Sequence, residues 1–229
     1  MKILLTRPKS KENASLKELF YKELGIDVNI LELVKIKPIY RNIEQAVKLL
    51  KDYEYIVFTS QNGVEIFFNY LRKNKIRIDL SNKNFVAIGP KTAEKINSFI
   101  KKNVTIPPIY TSENLEKLLS QIESKCLILR SILSNPIKLP NVKEIYIYEL
   151  VPIKGVPSIG YYRYVVLTSS FITKVFFEKF GNENFDFFVP IGPLTYKELI
   201  KYVDESRIIP YPESHTIMDT LKLLIKFNK

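Results

Sequence analysis

Two pairs of short segments carry the residues that could do chemistry. Val57-Phe58-Thr59-Ser60-Gln61-Asn62-Gly63-Val64 returns later as Val166-Leu167-Thr168-Ser169-Ser170-Phe171-Ile172-Thr173, and Ala87-Ile88-Gly89-Pro90-Lys91-Thr92-Ala93 returns as Pro190-Ile191-Gly192-Pro193-Leu194-Thr195-Tyr196. In each, an apolar run ends in small hydroxylated or Gly-Pro residues and then opens an amphipathic pattern, which reads as strand, tight turn and helix N-terminus. Such an N-terminus presents unpaired N–H groups and the positive end of the helix dipole, so it binds anions. Pro90 suits the first helical position, while Gly89 lets backbone and ligand approach closely. The hydroxyls of Thr59, Ser60, Thr92, Ser169, Ser170 and Thr195 either cap their helices or leave the capping N–H groups to a ligand. One aligned helix end gives an exposed anion only about 0.3–1 kcal/mol. A ligand with many carboxylates, engaging several turns at once, fits better than a single phosphate, for which a glycine-rich P-loop is expected.

These turns need a scaffold, and the sequence supplies an alternating one. Strand-like runs at Lys2 to Thr6, Asp27 to Val34, Tyr55 to Thr59, Phe85 to Ile88, Cys126 to Arg130, Glu144 to Leu150, Tyr164 to Thr168 and Phe187 to Ile191 are separated by helical patterns. These helices are expected at Ser10 to Leu24, Ile43 to Lys51, Gly63 to Lys73, Pro90 to Lys101, Glu113 to Ile122, Ser170 to Phe180, Pro193 to Tyr202 and Thr216 to Phe227. Alternation of this kind predicts parallel sheets covered by helices on both faces. It would place every turn at the carboxyl edge of a strand, where α/β proteins bind ligands. The first copy of each turn lies between two long strand-like segments that meet prolines, near Pro38 and Pro152, and the second copy follows them. The chain therefore reads as one domain inserted in another: 1–34 with 153–229, and 37–147, joined by a two-stranded ribbon at about 30–38 and 144–152. The two halves would face each other across a cleft.

Composition narrows the chemistry further. The 229 residues carry 35 Lys and Arg against 24 Asp and Glu, a formal net charge of +11, which favours anionic partners without naming one. The one cysteine, Cys126, sits in an apolar run and reads as core, and the one histidine, His215, lies in a loop. A soft-metal cage, a Cys-His pair and a Ser-His-Asp triad are poorly served by this set. Ile3-Leu4-Leu5 is cut by Arg7 and Pro8 before it could act as a signal sequence, and no apolar run reaches the length that spans a bilayer. A cytoplasmic protein without membrane contact is expected.

With these motifs in order, the chain resembles the uroporphyrinogen-III synthase family. The resemblance rests on Leu5-Thr6-Arg7-Pro8, the Thr59-Ser60 and Gly89-Pro90 turns, Tyr110-Thr111-Ser112-Glu113-Asn114-Leu115, Leu127-Ile128-Leu129-Arg130, Ile147-Tyr148-Glu149-Leu150, Gly192-Pro193-Leu194-Thr195 and His215-Thr216. It implies two HemD-like, flavodoxin-like parallel-sheet domains joined by a two-stranded ribbon. It also implies a cofactor-free hydro-lyase that closes linear hydroxymethylbilane, a substrate with eight carboxylates, into uroporphyrinogen III. In that reaction the bilane loses its terminal hydroxyl as water, ring D is attacked at its substituted position, and a spiro intermediate fragments and recloses with ring D inverted. The resemblance makes Tyr148 the candidate general acid, since a phenol with a pKa near ~10 is protonated at neutral pH. Thr59, Ser60, Asn62, Gly89, Thr92, Ser169, Ser170 and Thr195 become substrate binders, mostly through backbone N–H groups. Arg7, Lys91 and Arg130 become contacts for carboxylates. A transient contact with the enzyme that makes the bilane is a further expectation.

Two readings from other classes compete. A hinged two-domain α/β protein could bind a polyanionic small molecule without chemistry, which incubation with the bilane would reveal. A nucleic-acid-binding role rests on charge alone, since no aromatic-basic motif or nucleic-acid fold signature is present.

Overall fold

The computed structural model describes residues 2–228. It divides into two compact units, Met1–Ile36 with Val151–Lys229, and Lys37–Leu150. The chain begins with β1 (Ile3–Pro8), α1 (Asn13–Leu24) and β2 (Val28–Pro38), the last of which runs from the first unit into the second. The second unit then builds α2 (Tyr40–Leu49), β3 (Tyr55–Phe58), α3 (Gln61–Lys73), β4 (Asn84–Ala87), α4 (Pro90–Asn97), β5 (Val104–Thr105), α5 (Ser112–Ser120), β6 (Cys126–Ser131) and β7 (Val142–Pro152). β7 carries the chain back to the first unit, which adds β8 (Tyr162–Leu167), α6 (Ser170–Phe180), β9 (Phe185–Pro190), α7 (Pro193–Leu199) and α8 (Ile217–Phe227).

In the first unit the strands lie in the order β2-β1-β8-β9, all parallel, with Ile208 bridged in parallel to Phe188 at the far edge. Numbered within the unit this is 2-1-3-4-5, the flavodoxin-like order. The second unit has β5-β4-β3-β6-β7, again parallel throughout. That is the same arrangement entered at a different strand: β6 and β7 take the places of β1 and β2, and β3 and β4 those of β8 and β9.

Parallel strands buried on both faces need continuous apolar runs rather than alternation. Ile56-Val57-Phe58, Cys126 to Leu129 and Tyr164 to Leu167 are each fully buried. In the first unit, Ile3, Leu5, Val28, Tyr164, Val166 and Val189 pack under α1 and α8 through Phe20, Leu221 and Leu224. In the second, Val57, Val86, Cys126 and Ile128 pack under α5 through Leu115 and Leu119. Aromatic rings fill the opposite faces: Phe58 with Phe67 and Phe68 of α3, and Phe176 and Phe177 of α6 with Phe188. Phe67-Phe68 and Phe176-Phe177, adjacent pairs at matching places in α3 and α6, are thus the same packing device used twice.

Element boundaries depart from the sequence reading at several ends. The two-residue β5 is too short to leave a strand pattern in the sequence. α1 starts at Asn13 rather than Ser10, because the Asn13 amide is drawn to the Pro8 carbonyl and to Glu32. α4 stops at Asn97, four residues short of the expected Lys101, and α7 stops at Leu199.

Cys126 lies at 0% exposure in β6, and burial, with Glu54 adding to it, pushes its thiol up to about 11. A thiol reagent at pH 8 should therefore label the native protein only as fast as the second unit opens, and the denatured chain at once. Labelling rates that rise with urea in step with the unfolding signal would confirm this; immediate labelling of the native protein would contradict it.

Candidate functional site

Tyr148 and the Thr59-Ser60 turn meet at the carboxyl edge of the second unit's sheet. The turn follows β3, and the Ser60 hydroxyl accepts from the Gly63 N–H at 3.0 Å, capping α3. Gly63 leaves little room for a side chain: a Cβ there would lie 3.2 Å from the Leu129 carbonyl and 3.4 Å from the Ser60 hydroxyl. Its bareness lets α3 start close against β6 with Ser60 turned in. Tyr148 arrives from β7, next to β6, where the register slips between Arg130 and Ser131 so that Arg130 stands opposite Tyr146 and Ser131 opposite Tyr148. This bulge turns the phenol toward the turn, and the Ser60 and Tyr148 hydroxyls lie 2.8 Å apart. Tyr148 is only 5% exposed, and burial outweighs its hydroxyl neighbours Ser60 and Ser131 and the Arg130 charge, so its pKa rises above the ordinary 10.0.

Behind the phenol is a buried ion pair. Arg130, 2% exposed, donates to Glu144 at 2.7 Å, and Glu144 also accepts from the Tyr146 hydroxyl and the Ile137 N–H. Arg130 was expected to meet a ligand carboxylate; its guanidinium is instead enclosed and paired with Glu144 through one terminal nitrogen, its buried Nε unpartnered, and it acts on the site through its charge.

The Gly-Pro turns also differ from expectation. The space above Gly89, read as room for a ligand, holds the ring of Tyr110, whose Cγ would lie 3.2 Å from a Cβ on Gly89. Thr92 is buried at 5%, and its N–H and that of Ala93 return to the Gly89 carbonyl, so its hydroxyl is not displayed beside free N–H groups. Lys91 is exposed and has no ion-pair partner among the described residues. Thr59 and Asn62 lie half-buried at the head of α3.

The first unit repeats this construction with its own residues. Ser169 accepts from the Ile172 N–H at 3.2 Å and caps α6, Thr168 donates to the Thr6 carbonyl at 2.7 Å, and Ser170 donates to the Leu194 carbonyl at 2.9 Å, tying one turn to the next. Thr195 is buried at 3%, and the ring above Gly192 is that of His215, held at a φ of 51°. The slip that brings Tyr148 opposite Ser131 recurs between Arg7 and Pro8, where Pro8 stands opposite Val34. The duplicate of the phenol position is therefore a valine. Arg7, the counterpart of Arg130, is half-buried with its Nε unpartnered, and burial pulls its guanidinium below its ordinary range against the opposing charge of Glu12.

The sequence reading did not single out Tyr110, His215 or Ser131 as parts of these turns. A signal for the first two existed: each ring directly precedes the threonine that caps the next helix, Thr111 or Thr216. Among the described residues, no three His, Cys, Asp or Glu side chains converge as a metal site.

The tight seat of Tyr110 makes Gly89 a packing requirement, since its φ of −172° is open to any residue. Gly89→Val should cost about 1–3 kcal/mol, the usual penalty for overpacking, and much less in a Tyr110→Ala background. Melting temperatures of the two single variants and the double variant check this; equal losses in both backgrounds would show that the ring is not what Gly89 accommodates.

A family model described as uroporphyrinogen-III synthase HemD matches residues 14–218. Over 98% of both chains the sequence is 28% identical to a protein of Methanocaldococcus jannaschii provisionally named uroporphyrinogen-III synthase. Its fold is similar to the crystal structure of uroporphyrinogen-III synthetase from Helicobacter pylori, with a TM-score of 0.65 and 16% identity over 99% of this chain and 100% of that one. A mutant uroporphyrinogen III synthase from Thermus thermophilus gives a TM-score of 0.61 and 14% identity over 99% and 98%. The structural likeness at such identities speaks for the mixed α/β fold, and the family match covers nearly all of the residues that build both units. This chain belongs to the uroporphyrinogen-III synthase family.

Proposed function

We propose that this chain closes hydroxymethylbilane to uroporphyrinogen III, with Tyr148 as the general acid that starts the reaction. The observation that carries the reading is a buried phenol, held 2.8 Å from a serine hydroxyl at the carboxyl edge of a parallel sheet, with its pKa raised so that it keeps its proton at neutral pH. Tyr148 gives that proton to the terminal hydroxyl of the bilane. The C–O bond breaks, its electron pair leaves with the oxygen as water, and the pyrrole is left as an electrophilic azafulvenium cation. The substituted carbon of ring D attacks to form the spiro intermediate, which fragments and recloses with ring D inverted. The proton lost as the last ring regains aromaticity balances the one supplied at the start, so the net change is loss of one water.

No redox step is involved, and most of the remaining work is positioning. The chain must hold a flexible bilane where attack at the hindered carbon outpaces simple closure to the type I isomer. Thr59, Asn62, Ser169 and Ser170 lie at or beside the strand-end turns, where backbone N–H groups at helix starts can receive carboxylates, and Gly89 seats the Tyr110 ring beside them. Thr92 and Thr195 serve there by shaping the turns from within. Exposed Lys91 and half-buried Arg7 are the cationic side chains we assign to carboxylates. The eight carboxylates of the bilane match the net charge of +11. We read the two units as the domains of the family, 1–34 with 153–229 and 37–147, linked by a ribbon made from 30–38 and 144–152. Bonds in both units run in the antiparallel sense: Ile39 donates to Ile147 in one, and Ile153 to Leu33 in the other, each at 2.9 Å. No helix among the described residues is long and apolar enough to cross a membrane. We place the enzyme in the cytoplasm and assign it a transient contact with the enzyme that makes its substrate.

Incubation with hydroxymethylbilane, followed by oxidation and chromatographic separation of the isomers, should give the type III product in excess over the type I product of spontaneous closure. Tyr148→Phe should retain the fold and lower single-turnover rate by about 10²–10⁴, the range for loss of a general acid. Type I product alone would refute the assignment of the reaction; full turnover by the Phe variant would remove Tyr148 from the chemistry and leave the rest intact.

A further inference from the structure

The Ser60 hydroxyl has two neighbours in the structure. It accepts from the Gly63 N–H at 3.0 Å and lies 2.8 Å from the Tyr148 hydroxyl. A serine oxygen has one proton to give and two lone pairs to offer, and one lone pair is taken by the helix. If the phenol donated to Ser60, its proton would point away from any substrate. In the arrangement competent for donation to a leaving hydroxyl, Ser60 donates to the phenol oxygen, fed from behind by the Gly63 N–H.

We infer that Ser60 is the positioning residue of Tyr148: its hydroxyl aims the phenol proton outward and hydrogen-bonds the phenolate that remains after transfer, and it does not bind a substrate carboxylate. The inference rests on the reading of Tyr148 as the acid and assigns a different role from that of the other hydroxyls at these turns. The fold contains its own comparison. Ser169 makes the same cap on α6 at 3.2 Å, but Val34 stands where Tyr148 stands in the second unit, so the cap occurs there with no phenol to serve. Capping alone accounts for a serine in both units; only in one does the hydroxyl have a second partner 2.8 Å away. The other groups around the phenol are Ser131 and Arg130 of β6, the latter neutralised by Glu144 of β7. Arg130 is the charged group that acts on the phenol; a hydroxyl pointed at its oxygen supplies the directional partner that a cation held by Glu144 lacks. In direction, burial raises the Tyr148 pKa while Ser60, Ser131 and Arg130 lower it. Removing Ser60 therefore raises it further.

The test separates capping from the phenol bond. Ser60→Gly removes the hydroxyl while glycine keeps most of the capping preference, Ser60→Ala removes both, and Ser60→Thr keeps the hydroxyl. Tyrosine ring resonances in ¹³C-labelled protein, with the Tyr148 signal assigned by Tyr148→Phe, give the phenol titration without substrate; product formation gives kcat and KM. Both Ser60→Gly and Ser60→Ala should move the Tyr148 titration to higher pH and lower kcat about 10- to 100-fold, with KM within about twofold, while Ser60→Thr restores both. Ser169→Ala, whatever it does to KM, should leave the Tyr148 titration in place. An unchanged titration in Ser60→Gly, or a raised KM with kcat intact, would overturn the inference and return Ser60 to substrate binding. If the titration moves as stated but Tyr148→Phe is fully active, the hydrogen bond stands and the acid role of Tyr148 is what fails.

Discussion

A parallel sheet buried on both faces leaves a protein little freedom except at the ends of its strands, and that constraint organises this molecule. Ile56-Val57-Phe58, Cys126 to Leu129 and Tyr164 to Leu167 have no exposed face on which to carry function. Polar chemistry is confined to the residues that follow them, where each helix begins with N–H groups lacking intrahelical partners. The serine caps, the rings seated on Gly89 and Gly192 and the bulges after Arg7 and Arg130 all occur in that narrow layer. Within it, a single hydrogen-bonded phenol, Tyr148 against Ser60, distinguishes one unit's strand ends from the other's, where Val34 holds the matching position.

The two units show how a duplicated scaffold acquires that difference. The bond from Ile88 to the Phe58 carbonyl in one unit is the bond from Ile191 to the Leu167 carbonyl in the other, and both strand slips fall one residue after an arginine. What differs is the content of matching positions. Val34 faces Pro8 where Tyr148 faces Ser131, and of the two arginines, each with an unpartnered Nε, Arg130 is paired with Glu144 while Arg7 has no ion pair among the described residues. The enclosed pair in the second unit gives the phenol a fixed charge nearby without a mobile cation that could reach substrate. Burying Arg130 without Glu144 would leave an uncompensated charge, so neither can be removed alone without cost.

Much of this was legible in the residues because the repeat is nearly literal. Thr59-Ser60 and Thr168-Ser169, or Gly89-Pro90 and Gly192-Pro193, announce their strand, turn and helix through types that few other contexts favour. The chain passes between the two units after Ile36 and after Leu150, close to Pro38 and Pro152 at the ends of the long Ile-rich and Tyr-rich segments. What the residues did not disclose were contacts between positions remote in sequence. Nothing local says that Tyr110 will sit on Gly89, that Arg130 will be enclosed by Glu144, or that the Ser60 hydroxyl will reach Tyr148, because each depends on strand order and on a one-residue slip. Glycine in a Gly-Pro turn was read as space for a ligand when the space belongs to a ring. A two-residue strand such as β5 leaves no pattern at all.

The offset entry points of the two units bear on how the chain comes off the ribosome. The unit Lys37–Leu150 is contiguous and has all five of its strands once β7 has emerged, whereas the other must keep β1 and β2 waiting until β8 is made. Its central pairing, Leu5 opposite Val166, closes a loop that contains the whole of its neighbour, and loops of that length close late. Synthesis thus yields a finished unit trailing from a β1-β2 pair whose next strand, β8, does not yet exist. During that interval the β1 edge is the part of the nascent chain most exposed to mispairing, and a chaperone or rapid elongation through residues 151–190 would matter more for this unit than for the one synthesised inside it.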